Sequence, residues 1–364
     1  MASTALITGF PGFIARRLVP ELLKKDPSVQ LSLLIEERLR PLAEASLAAL
    51  DASHPGLAGR ARLLAGDISE PWLGLSEQVY RQEAARTSHV WHLAAIYNLA
   101  VPESTAYRVN VLGTASVLDF CEECRGLKRL DYVSTCYVSG SRKGRILETE
   151  LDEGQTFKNH YESTKCRAEM EVRRRMGRLP VTIHRPGIVV GDSRTGETDK
   201  YDGPYFVMNL LTKLPTWFPM VNIGDGRALV NLVPVDFLVE AMAELWSNPA
   251  ALGETVQLAD PRPHSAREVM GALLEAMGFR RPLLAVPAPL VEGALGVPAI
   301  RDLLKIPKET VIYFNHEAVY DVANQQRLLE GSGVRCPDFL DIAPTLAAYV
   351  RQHPDKPFID GRRY

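Results

Sequence analysis

Thr8-Gly9-Phe10-Pro11-Gly12-Phe13-Ile14-Ala15 is the stretch that decides the fold. It lies between Ala5–Thr8, which reads as a strand, and Phe13–Lys25, which reads as a helix with Ile14, Leu18 and Leu22 on one face. Lys24 and Lys25 complement the negative end of that helix, and Asp26-Pro27 stops it. A strand–loop–helix unit with this glycine spacing is a phosphate cradle. Gly9 permits the tight turn, Gly12 lets the backbone approach a pyrophosphate, and Ala15 is small enough for close helix–strand packing. The open N–H groups and positive dipole end of the helix then face the phosphates. Thr8, Gly9, Phe10, Pro11, Gly12, Phe13 and Ile14 are the first candidate cofactor-binding residues.

Strand and helix patterns alternate outward from this loop. Val29–Ile35, Arg62–Ala65, Val90–Leu93, Leu130–Ser134 and Val181–His184 read as strands. Helices are predicted over about Val111–Cys124 and Tyr161–Met176, the latter ending in Arg173, Arg174 and Arg175 before Gly177. Strict alternation predicts an α/β fold with a doubly wound parallel (Rossmann) sheet. The texture changes after Gly191. Leu229–Val233 and Thr255–Leu258 are expected as further strands around a helix at Val235–Ser247, and Ser265 to Glu268 as a capping box before a helix at Val269–Met277. The expected division is 1–191 plus about 228–262 for the dinucleotide-binding domain. About 192–227 plus 263–364 make a smaller, partly helical substrate-binding region.

A ribose-reading residue belongs about 20 residues after the loop, at the end of the second strand. Glu36 stands there and favours NAD; Arg38, Arg40, Arg16 and Arg17 could each hold a 2′-phosphate, so NADP(H) and NAD(H) both stay open. Asp67, with Ile68, follows the third strand and is placed to accept from an adenine amino group. Leu93, Ala94 and Ala95 end the fourth strand with little bulk where a cofactor would lie, and His92 before them reads as structural.

Tyr161 and Lys165 share one face of a helix at i and i+4. A tyrosine titrates near 10, and a lysine charge beside it favours the phenolate, so the pair suits a general acid for a carbonyl that has received hydride. Ser134 and Thr135 end the fifth strand, where a hydroxyl can polarise that carbonyl.

With TGFPGFIA, GDIS, HLAA, NVLGT, STCYVSG, YESTK and HRPGIVVGDSRTGET in this order, the chain resembles the extended short-chain dehydrogenase/reductase family over roughly residues 4 to 260. STCYVSG and RPGIVVGDSRTGET point to its thioester-reductase and fatty acyl reductase branch. The resemblance implies catalytic Thr135, Tyr161 and Lys165, with Thr135 chosen over Ser134 by its position relative to Gly140. It implies that Lys165 also holds the nicotinamide ribose, that Pro186, Gly187 and Ile188 border the nicotinamide, and that Asn110 braces the site. Glu36 departs from the basic residue common in NADP-using members. With no carrier domain attached, a free coenzyme A thioester or carbonyl compound is the expected substrate. The implied activity is NAD(P)H-dependent reduction of a hydrophobic fatty acyl thioester or aldehyde. The alternatives are a nucleotide-sugar epimerase or dehydratase with retained NAD, a hydroxysteroid-type dehydrogenase, and a non-catalytic dinucleotide-binding sensor.

Composition sets the outer limits. The 364 residues carry 42 Lys+Arg against 44 Asp+Glu, a net charge of -2, which excludes the electrostatic footprint of a general nucleic-acid binder. The 5 cysteines and the absence of an export signal predict a reduced, cytoplasmic protein. Cys121 and Cys124 lack two further ligands at zinc spacing, so no metal is expected. Leu283–Leu304 is broken by charge and proline and is not expected to span a membrane. Together with the aromatic stretch Tyr201–Met220 it suits an apolar small molecule, and a homodimer is compatible with the sequence.

Overall fold

The computed structural model describes residues 3–97, 101–199, 201–282, 285–286 and 316–354. Seven strands, β1 (Thr4–Thr8), β2 (Gln30–Ile35), β3 (Ala61–Ala65), β4 (His89–His92), β5 (Arg129–Val133), β6 (Val181–Pro186) and β7 (Thr255–Leu258), form one sheet in the order β3-β2-β1-β4-β5-β6-β7. All neighbouring pairs are parallel. The chain direction across the sheet reverses between β1 and β4, and ligands of such sheets bind outside the carboxyl ends of the strands at that switch point.

Both faces of the sheet are covered, and β1, β5, β6 and β7 are buried along their whole length, including the polar Arg129, Asp131, His184, Arg185 and Gln257. Ala5 and Ile7 of β1 face one core, which also takes Leu18 and Leu22 of α1 (Phe13–Lys25). Leu6 faces the other core. Helices α2 (Arg40–Ser53), α3 (Glu77–Arg86), α4 (Gly113–Glu123) and α5 (His160–Arg175) follow along the chain. Tyr80 of α3, Val117 and Phe120 of α4, and Ala168 and Val172 of α5 fill the second core. A third core joins α6 (Pro204–Leu211), α8 (Ala266–Ala276) and α9 (Phe339–Gln352), while α7 (Val235–Ser247) packs with α1 in the first.

Helices α1 and α7 have the expected limits. Ser265 caps α8 in a complete capping box with Glu268. The structure differs at three places. Leu229–Val233 is not one strand: Leu229–Val230 runs antiparallel to His264–Ser265, and Leu232–Pro234 runs parallel to Ile188–Val190. Between them the Asn231 side chain accepts from the Asp260 amide at 2.8 Å and donates to its carbonyl at 3.1 Å, which splits the segment. The helix expected from Val111 begins earlier, with a short turn at Glu103–Ala106 and a π-helical turn at Tyr107–Leu112. Ala318–Tyr320 pairs with Gly144–Ile146, and Leu328 and Leu329 pack in the first core. Most of Leu283–Leu304 lies outside the described residues. Among the described residues no helix is long and apolar enough to cross a membrane.

A buried charge cluster fixes β5 against α5 and β6. Glu169 is fully buried and accepts from Arg185 Nη2 at 2.6 Å and Nε at 3.0 Å, from Arg173 Nε at 3.0 Å and from Ser134 Oγ at 2.6 Å. The two arginines and the serine hydroxyl outweigh desolvation and hold its pKa below the ordinary carboxylate value. Removing one partner of a buried pair leaves an uncompensated charge. Glu169→Gln is therefore expected to lower unfolding free energy by about 3–5 kcal/mol in urea titrations, and Arg185→Met added to it to recover part of the loss. A single variant within about 1 kcal/mol of the parent would overturn this reading of the cluster.

Candidate active site

The glycine loop leaves β1 at the switch point. Gly9 has φ +87°, and a Cβ there would stand 2.8 Å from Ala94 N and 2.9 Å from Leu93 C. The loop thus lies against the end of β4, and only glycine fits. Gly12 N–H donates to Gly9 O at 2.8 Å, closing the turn. Phe10 is 2% exposed, so its ring belongs to the core beneath the loop, and the Phe10–Pro11 peptide is cis. Phe13 and Ile14 begin α1 and pack partly against the same core.

Glu36 follows β2, and its carboxylate takes a two-pronged grip from Arg38, Nε at 2.6 Å and Nη2 at 3.0 Å. The Glu36 bond raises the Arg38 pKa, with a smaller contribution from Asp67. Asp67 accepts from both Ser69 N and Ser69 Oγ at 2.8 Å, and Ile68 beside it is buried. Arg16 and Arg17, which the sequence left as phosphate candidates, pair elsewhere. Arg16 meets Asp199, and Arg17 lies 3.2 Å from Glu197. Arg40 pairs with Glu37 at 2.8 Å.

Thr135 ends the loop after β5 and caps the turn Cys136–Ser139. Its hydroxyl neighbours the Tyr161 phenol and acts to lower that phenol's pKa. It also lies 3.5 Å from Pro186 O, at the start of Pro186-Gly187-Ile188. That segment is held to its neighbours by Gly187 N to Leu258 O at 3.0 Å and Ile188 N to Asn231 O at 2.9 Å. A Cβ at Gly187 would lie 2.7 Å from Asn231 Oδ1. Ser134, the other hydroxyl at this strand end, is committed to Glu169.

Tyr161 opens α5 and meets the ring of Tyr97 edge-on, with centroids 4.9 Å apart. Burial pushes its phenol pKa up, the Thr135 bond opposes that, and Glu162 adds to the rise. Lys165 lies one turn on and is 3% exposed. Its Nζ donates to Val133 O at 2.8 Å and to Tyr132 OH at 3.0 Å. Burial lowers its pKa to about 7, partly offset by Glu169. The Lys165 ammonium turns under β5 to these Val133 and Tyr132 oxygens. Tyr97 and Tyr132 were not singled out from sequence: neither belongs to a spaced motif, and only the fold brings them to the pair.

Asn110 is 1% exposed. Its Oδ1 accepts from Ile96 N at 2.9 Å, while Nδ2 donates to Thr164 Oγ1 at 3.0 Å and Ile96 O at 3.3 Å. It ties the loop after β4 to α5. The Tyr201–Met220 stretch divides. Tyr201, Tyr205, Met208 and Leu211 are buried in the third core, while Trp217 is 80% exposed. Among the described residues no cluster of three metal-ligating side chains occurs.

Residues 7–242 match the family described as "Male sterility protein". The chain is 28% identical over 278 residues to the non-canonical nonribosomal peptide synthetase FrzA of Cladobotryum sp, covering 70% of this chain and 26% of that protein. It is 28% identical over 275 residues to the fatty acyl-CoA reductase wat of Drosophila melanogaster, covering 66% of this chain and 53% of that one. The chain thus spans about a quarter and about half of these relatives' lengths. The terminal R domain of the myxalamid PKS-NRPS pathway superposes with TM-score 0.81 at 27% identity, covering 96% of this chain and 91% of that one. With the match running from the glycine loop through α7, the chain belongs to the Male sterility protein family of NAD-binding domains.

Proposed function

We propose that the protein is an NAD(P)H-dependent reductase of a hydrophobic carbonyl compound, a fatty acyl thioester or an aldehyde. The observation that carries this is the Thr135 hydroxyl, which acts on the Tyr161 phenol, at the carboxyl end of β5 in a sheet whose β1–α1 turn suits a dinucleotide pyrophosphate. The likeness to a fatty acyl-CoA reductase and to a peptide-synthetase R domain supports the substrate class.

The residues fit a dinucleotide. The β1–α1 turn leaves room only for backbone at Gly9, and Gly12 precedes α1 with no side chain to cap it, so the first N–H groups of the helix are left for phosphate oxygens. When bound, the reduced nicotinamide supplies hydride to the substrate carbonyl carbon. Thr135 and Tyr161 hydroxyls point to the oxygen that takes up the charge, and Tyr161 gives it a proton. A phenol whose pKa is raised stays protonated across neutral pH, which is the form an acid needs. Lys165, in its ammonium form, holds the nicotinamide ribose. Pro186, Gly187 and Ile188 border the ring, and Leu93, Ala94 and Ala95 leave the strand end low. Thioesters give an aldehyde after loss of the thiol; aldehydes give an alcohol.

Three outcomes test this reading. Oxidation of NADH and NADPH is followed with acyl thioesters and aldehydes of graded chain length. Tyr161→Phe should lower kcat by about 10²- to 10⁴-fold while dinucleotide binding holds, and near-normal turnover would sink the acid role. Glu36→Ala should release Arg38 and raise the NADPH-over-NADH preference about tenfold, equal to about 1.4 kcal/mol; an unchanged ratio removes Glu36 from ribose reading. Lys165 has its folded pKa lowered from 10.5 to about 7, so its ammonium is lost as pH rises through neutrality. Dinucleotide affinity and kcat/KM should fall together on that limb, and a flat profile to pH 9 or so would show that the charge is not used.

A further inference from the structure

His92 is the last residue of β4, 2% exposed, and the reaction above gives it no step. Its ring bridges two hydroxyls: Nδ1 lies 2.8 Å from Thr8 Oγ1, and Nε2 lies 3.0 Å from Thr114 Oγ1. The partners fix the hydrogens. Thr114 donates its single hydrogen to Asn110 O at 2.6 Å, so it accepts from Nε2–H. Thr8 Oγ1 accepts from Ala94 N at 3.1 Å, which leaves its own hydrogen for Nδ1. The ring is therefore neutral with its proton on Nε2, and burial beside Lys165 lowers its pKa to about 3, in keeping with that form.

The chain of bonds continues past Thr114. Tyr132 packs against the His92 ring with centroids 5.6 Å apart and accepts from Lys165 Nζ at 3.0 Å, and the Thr114 hydroxyl acts to lower the Tyr132 phenol pKa. One end of the series is thus the residue that starts the glycine turn, and the other is the lysine of the catalytic pair. We propose that His92, through Thr114 and Tyr132, couples the seating of the dinucleotide at Thr8–Gly9 to the Lys165 ammonium, as a positioning residue for both. The proposal rests on the reductase reading for the identity of the ligand. Titratable groups facing Lys165 are Tyr132 from β5, His92 from β4 and Glu169 from its own helix, while α4 contributes the neutral Thr114.

The test reads dinucleotide affinity by protein fluorescence across neutral pH, with NADH and NADPH as probes and without turnover. His92→Gln keeps a donor for Thr114 and loses the acceptor for Thr8; affinity should fall about tenfold at every pH, near the worth of one buried hydrogen bond. Tyr132→Phe removes an acceptor from the ammonium, so the alkaline loss of affinity should begin about half a unit lower in pH. The double variant should lose less than the product of the two single effects, as coupled sites do. Multiplicative effects, or singles that leave affinity and its pH limb in place, overturn the coupling. A residue that merely fills the core would change unfolding and not the limb. Should either variant fail to fold, the nearly isosteric Thr114→Val breaks the middle link, and it should both weaken binding and move the limb. If the parent chain binds neither dinucleotide, the reductase reading falls by itself. The relay is then judged by ring-nitrogen NMR, where a neutral Nε2–H His92 is expected and an Nδ1–H ring would overturn it.

Discussion

The approach of Gly9 to the backbone of Leu93 and Ala94 is the constraint on which the site depends. At 2.8–2.9 Å from those atoms a Cβ has no room, and φ +87° adds its own penalty for any other residue. The contact draws the start of the α1 loop over the end of β4. It thereby brings the two strands that flank the switch point to one level, and with them Thr8 and His92. A substitution there would push β1 and β4 apart at the place where a ligand crosses the sheet, so the effect would reach both the phosphate cradle and the strand that leads to Tyr97.

The catalytic side of the crevice is held by a different force. Ser134 and Thr135 are neighbours with the same chemistry, and the structure gives them opposite tasks. Ser134 turns into the Glu169–Arg185 cluster, which is charged and closed, while Thr135 turns outward to Tyr161. Successive residues of extended backbone already point to opposite sides, and the buried carboxylate supplies the partner on the Ser134 side. The ionic cluster therefore ties α5 to β6 and also satisfies the Ser134 hydroxyl.

Much of the fold was legible because it rests on local signals. The strand–glycine–helix unit, the Lys24–Lys25 terminus of α1 and the Ser265–Glu268 box are written in neighbouring residues, and the structure keeps them. What could not be read depends on distant partners. Asn231 breaks an apolar run only because Asp260 comes back beside it. Ala318–Tyr320 is a strand only because Gly144–Ile146 has a free edge to pair with. In the site, Thr135, Tyr161 and Lys165 were named from spacing and resemblance, but where the Lys165 ammonium points was not. Spacing at i and i+4 places two side chains on one helix face and leaves their ends free to choose different neighbours.

That choice alters how the pair works. A lysine beside a tyrosine suggests a charge pulling the phenol toward phenolate. Here burial acts on both groups in the direction that removes charge, raising Tyr161 and lowering Lys165. The phenol therefore keeps its proton near neutral pH, while the Lys165 ammonium is partly populated there. The surroundings of the pair, more than its spacing, thus set the charge that each group carries.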